Sequence, residues 1–112
     1  MAHLPQSHYI DAAEQEGYWR GVFQDRPYVD PRATFLDYGP AYGYGVDAYT
    51  RFPGQHYDEI EEQLGRDWDT VRGDSGLSWE RARHAVRDAW QHVRDGIERL
   101  LPGETTTGDD RR

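Results

Sequence analysis

His84, Asp88 and His92 stand at i, i+4 and i+8 on one ribbon of a helical stretch, and imidazole and carboxylate at that spacing can share a divalent metal. Only two neighbours on such a ribbon reach one ion, whereas zinc takes three or four ligands, so no metal or other cofactor is expected. With Arg81, Arg87 and Asp95 beside them, the three residues read as a solvated face carrying i, i+4 charge pairs. Glu59 and Glu62 share a face, but the Glu-x-x-His pairs of a di-metal carboxylate bundle are missing. A serine nucleophile needs a base and an oxyanion donor. Ser7, Ser75 and Ser78 sit in loops or at a cap with neither in view, and no phosphate-cradling glycine loop occurs. No catalytic residue emerges, and a non-enzymatic protein is expected.

Tyr38, Tyr42 and Tyr49 recur at near-helical spacing and form a candidate ligand surface, because stacked rings bind planar groups at about 1 to 3 kcal/mol per base. The net charge of −8 repels phosphate, so nucleic acid is an unfavoured partner and core packing the stronger reading of the stripe.

The elements that would carry these residues are helical. Tyr18 with Val22 and Trp19 with Phe23 pair at i, i+4 in a short helix over 14–23. RPYVDP follows as an extended connector, since Pro27 and Pro31 bias their predecessors away from helix. Asp37 is the expected N-cap of a second helix over 38–51, with Pro40 in its first turn. Gly39, Gly43 and Gly45 each cost that helix nearly 1 kcal/mol relative to Ala, so packing must hold it.

Ile60, Leu64, Trp68 and Val71 stripe a third helix over 57–71, with acids in its first turns and Arg72 at its end, as the helix dipole favours. After the Gly73-Asp74-Ser75-Gly76 loop, Ser78 caps a fourth helix over 79–101, stopped by Pro102-Gly103. Its heptad places Trp79, Val86, Val93 and Leu100 at one position and Ala82, Ala89 and Gly96 three later, with Trp90 and Ile97 widening the stripe. The short loop predicts an antiparallel hairpin of the last two helices. Net charge supports it: −4 over 56–72 against zero over 73–101 lets acidic and arginine-bearing flanks face each other.

Length allows one domain. Leu, Ile, Val and Phe total only 18 of 112 residues, which with the net charge approaches a disordered composition; four Trp and eight Tyr supply the missing burial. The expectation is an all-α domain of three to four helices over 14–101, between a disordered N-terminus over 1–13 and a disordered tail over 102–112. Cysteine is absent, which excludes disulfides and thiolate chemistry. Neither a signal-type apolar run nor a membrane span is seen, so the expected location is cytoplasmic. All thirteen basic residues are Arg, which genome composition explains as well as any selection for stacking.

The segments RPYVDP, DYGPAYGYGVDAYTRFPG, DEIEEQLGRDW and SWERARHAVRDAWQHV, in that order, resemble a family of small uncharacterised bacterial proteins that sometimes stand beside or are fused to general-stress-type domains. The resemblance covers about residues 14 to 95; it implies a stress association and brings no activity. The sequence therefore reads as a helical interaction protein of unknown partner. A thin core and the long seam of Trp79, Val86, Trp90, Val93, Ile97 and Leu100 further suggest a homo-oligomer, because the third helix alone offers too few large residues to cover that seam. The alternative is an accessory protein binding a small ligand or nucleic acid through its Tyr and Arg surface.

Overall fold

Capping and turn chemistry set the boundaries of the elements in the computed structural model, which describes residues 10–100. The tail over 102–112 and nearly all of the expected disordered N-terminus lie outside the described residues. Four α-helices and one 3-10 turn make up the described chain, with no strand among the described residues. Helix α1 is Ala12–Val22, running into the 3-10 turn Phe23–Asp25; α2 is Phe35–Arg51, α3 Tyr57–Val71 and α4 Trp79–Leu100.

Two starts differ from the sequence reading. Helix α1 begins at Ala12, because the Asp11 carboxylate accepts the backbone N–H groups of Ala13 (3.0 Å) and Glu14 (3.1 Å). Helix α2 begins at Phe35, three residues before the expected start, so Pro40 sits in its interior and denies the Leu36 carbonyl its i+4 donor. Asp37 is no cap: its Oδ1 accepts the Gly76 N–H at 3.2 Å, while the buried Ser75 hydroxyl donates to the Asp37 carbonyl at 2.6 Å. The loop before α4 is thereby tied to the first turn of α2.

The segment between α1 and α2 is also not extended. Arg26-Pro27-Tyr28-Val29 closes with Val29 N–H on the Arg26 carbonyl (3.2 Å), and Asp30-Pro31-Arg32-Ala33 with Ala33 N–H on the Asp30 carbonyl (2.9 Å). Each is a four-residue turn with proline second, the position its fixed φ suits; in the latter the Asp30 side chain also accepts the Arg32 N–H at 2.8 Å.

Helices α3 and α4 form the expected antiparallel hairpin, with Arg83 on Glu61 (3.2 Å) and Arg87 on Asp58 (3.6 Å). The chief neighbour of α4, however, is α2. Gly45 makes that possible: a β-carbon there would collide with the Val86 carbonyl oxygen and stand 3.0 Å from the Ala89 methyl. Ala89 is the small residue of α4 at this close approach, and the helix it admits is α2 of the same chain. Around this contact are buried Tyr38, Ala41, Tyr42 and Ala48 from α2, Ile60, Leu64 and Trp68 from α3, and Ala82, Ala85, Val86, Ala89, Trp90 and Val93 from α4.

Trp68 and Trp90 are buried in one core cluster, with Trp79 packed against it. Trp68 and Trp79 are neighbours at 6.2 Å, whereas Trp90 lies between Tyr49 (6.0 Å) and Tyr57 (5.7 Å).

Candidate functional site: an aromatic clamp and the cleft beside it

On the ribbon of His84, Asp88 and His92, His84 is exposed as a solvated face would have it, while Asp88 and His92 are half-buried. Residues 18–28 fold back along this ribbon, and each ribbon residue takes a partner from that strap. Tyr18 stacks on His92 at 4.3 Å with the rings 10° apart, and Trp19 meets the same imidazole edge-on at 5.4 Å. Tyr28 stacks on His84 at 5.8 Å. Between them, Asp88 Oδ2 accepts both Arg26 Nε and the Tyr28 hydroxyl, each at 2.7 Å. Among the described residues no three potential ligands converge on a metal position.

The Tyr28 hydroxyl also lies 2.9 Å from that of Tyr42. Its single proton goes to Asp88, so Tyr42 donates to Tyr28 and the chain runs Tyr42 to Tyr28 to Asp88, with Arg26 balancing the carboxylate. Burial pushes the Tyr42 phenol up to about 12. Tyr28 is raised well beyond the ordinary tyrosine range, by burial first and then by its bond to Asp88. Both phenols hold their protons near neutral pH, so neither serves as a base or nucleophile there. The cluster is a clasp that fixes the strap on α4.

What the clasp fixes is one wall of a cleft. Trp19, held face to face on Tyr42 at 4.3 Å, anchors α1 against α2. Farther along, the Arg20 guanidinium lies 4.6 Å over the Phe35 ring, and Phe23 meets Phe35 at 5.3 Å. On the outer side a cleft of about 750 Å³ opens between the two helices, walled by Gln15, Trp19 and Arg20 on one side and by Phe35, Leu36, Pro40, Gly43 and Val46 on the other. That volume falls in the range of small-molecule sites, roughly 300 to 1,000 Å³, and the walls are largely apolar as such sites are. Leu36, 68 % exposed, stands on its edge. At Gly43 nothing lies within 4 Å of where a β-carbon would be, so the missing side chain leaves the cleft open.

The candidate residues from the sequence land elsewhere than expected. Tyr38 and Tyr42 are 0 % and 1 % exposed, and Tyr49 is half-buried against Trp90, so the tyrosine stripe is core rather than a ligand surface; only Tyr42 reaches the cleft, as part of its lining. In the proposed interaction seam, Val86, Trp90 and Val93 are buried within the chain, while Trp79 and Ile97 are half-buried against the same core. The Leu100 side chain lies outside the described residues. Trp79 rests on Gly65, where a β-carbon would stand 2.6 Å from its indole nitrogen. Helix α2 supplies the cover that α3 alone lacks over Val86, Trp90 and Val93.

Sequence reasoning missed the strap and the cleft. Turn signals at Arg26-Pro27 and Asp30-Pro31 could have located the reversal that brings Tyr28 back onto α4. No protein-family model, curated protein or solved structure matches the chain.

Proposed function

We propose that this chain is a small non-enzymatic binding protein whose receiving surface is the cleft between α1 and α2. The observation that carries this reading is the cleft itself: an apolar concavity of ligand size, edged by an exposed leucine and kept open by a glycine inside a helix. A glycine there costs nearly 1 kcal/mol relative to alanine, a cost that packing does not explain at Gly43 as it does at Gly45. Glu16 and Arg20 on the wall are engaged with each other at 2.8 Å, which favours an apolar occupant over an ionic one. The stress association implied by the family resemblance belongs to this proposal as its biological setting, and self-association now rests on the thin core alone.

The test is a fluorescence titration with Nile red, a neutral apolar dye, against the wild-type chain and Gly43→Leu. Saturable binding by the wild type, weakened at least tenfold in the variant, supports the cleft. Equal binding by both proteins, or none by either, sinks it.

A further inference from the structure

We infer that the cleft between α1 and α2 takes an amphiphilic organic cation, an apolar ring or chain that carries one protonated amine. The inference rests on the binding role proposed above and adds the chemistry of the occupant's polar end. Its independent support is the charge on the walls. The charged residues lining the cleft are Glu16, Arg20 and Asp74. Glu16 and Arg20 are 2.8 Å apart and neutralise each other, which leaves the apolar surface to select the body of the occupant. Asp74 is exposed, and its carboxylate has neither a hydrogen bond nor an ion pair among the described residues. Its neighbour Arg72 does not supply the missing charge, because that guanidinium is engaged by Asp69 at 3.5 Å and donates to the Ser75 carbonyl at 2.8 Å.

The backbone fixes where this charge stands. Asp74 lies in a turn closed by the Ser75 N–H on the Arg72 carbonyl at 3.0 Å. The two residues after it are tied to α2, since the Ser75 hydroxyl donates to the Asp37 carbonyl at 2.6 Å and the Gly76 N–H to the Asp37 carboxylate at 3.2 Å. Asp37 follows Leu36, the exposed leucine on the edge of the cleft, so the uncompensated carboxylate belongs to that end. Coulomb attraction, unlike a hydrogen bond, needs no set angle and reaches about 8 Å before physiological salt screens it. A cation seated beside this turn therefore feels Asp74 whichever rotamer the carboxylate takes.

The aromatic part of the lining acts in the same direction. Trp19, Phe35 and Tyr42 line the cleft, ring faces attract cations, and the Arg20 guanidinium already rests on Phe35 at 4.6 Å. An anion would be repelled by Asp74 and by a chain of net charge −8, and a neutral molecule would gain nothing from either.

The experiment is isothermal titration calorimetry of the full chain at low ionic strength with probes that share one naphthalene body: 1-naphthylmethylamine, which is protonated near neutral pH, the neutral 1-naphthylmethanol and the anionic 1-naphthoic acid. The amine should bind about fivefold tighter than the alcohol, the upper end of what an exposed ion pair contributes, and the acid weakest. Asp74→Asn should lower the affinity for the amine toward that for the alcohol and leave the alcohol unchanged. Asp95→Asn, which removes the same charge from an exposed position outside the cleft, should keep the preference. Gly43→Leu should weaken amine and alcohol alike, with every variant as helical as the wild type.

Equal affinity for amine and alcohol, or Nile red binding without any binding of the amine, would overturn the cation assignment while leaving the cleft as a binding surface. A preference that survives Asp74→Asn, or that is lost as fully in Asp95→Asn, would overturn it too. Amine binding unchanged in Gly43→Leu would place the probe elsewhere, against the proposal. Failure of Nile red as well would remove the binding role itself, and this inference with it.

Discussion

Gly45 of α2 lies against the backbone of Val86 in α4 so closely that the carbonyl oxygen of Val86 occupies the space a β-carbon would need. The obstruction is backbone in the middle of a helix, which cannot swing aside. Gly45→Ala should therefore destabilise the domain by about 1 to 3 kcal/mol, the usual range for overpacking, despite the higher helix propensity of alanine. Gly17, Gly21 and Gly43 meet nothing within 4 Å, so alanine at each should stabilise by up to about 1 kcal/mol. Urea unfolding followed by circular dichroism separates the two classes by the sign of the midpoint shift.

Alkaline pH should unfold the protein from about pH 10 upward. Tyr28, Tyr42 and Tyr57 all have phenols raised by burial, and the Tyr57 hydroxyl is buried without a partner. In the unfolded chain they lose their protons near pH 10, whereas the folded chain keeps them, so the unfolded state binds fewer protons and stability falls as pH rises. Below pH 10 they contribute no pH dependence. Each accounts for a loss of up to about 1.4 kcal/mol per pH unit above that point. Stability measured between pH 8 and 12 should show a shallower fall in Tyr42→Phe.

Breaking the clasp should loosen the strap before the rest of the domain. Asp88→Asn removes the charge facing Arg26 and weakens the acceptor for Tyr28, and Tyr28→Phe leaves the Tyr42 hydroxyl without its acceptor. Each should cost about 1 to 3 kcal/mol, and the double mutant should cost clearly less than the sum because the two share one bond. In hydrogen exchange, amides of α1 should lose protection in either variant while those of α2 and α4 keep theirs.

Ile97→Glu tests where the end of the α4 seam goes. Ile97 packs half-buried against the core of its own chain, so the substitution should lower stability by about 1 to 3 kcal/mol and leave the sedimentation coefficient unchanged. A wild type that is dimeric and a variant that is monomeric yet equally stable would restore an interface at this seam.

The helices most legible in the sequence were those whose signals are local. Ile60, Leu64 and Trp68 place α3 by period alone, and its predicted limits coincide with those observed. The α4 heptad likewise marked the buried face, although it could not say which helix would cover it. Covering depends on Gly45, which in sequence is one more glycine weakening α2 and in space is the point of closest approach. Asp37 and Ser75 were misread or passed over because their roles lie 38 residues apart in the chain. The same holds for Asp88, whose partners Arg26 and Tyr28 come from a segment that reads as a plain connector until its two proline turns are recognised. The cleft had no sequence signature, since it is the space left between α1 and α2 once Trp19 has stacked on Tyr42.

The reach of the clasp, 60 residues from Tyr28 to Asp88, bears on how the chain is made. Synthesis delivers α1 and the strap first and Asp88 last among the clasp residues, so Tyr18, Trp19 and Tyr28 leave the ribosome well before the helix they are to lie on exists. During that interval three large aromatic side chains have no permanent cover from α4. Translation speed across the codons for 29–88 therefore sets how long the nascent chain shows an adhesive face to other molecules.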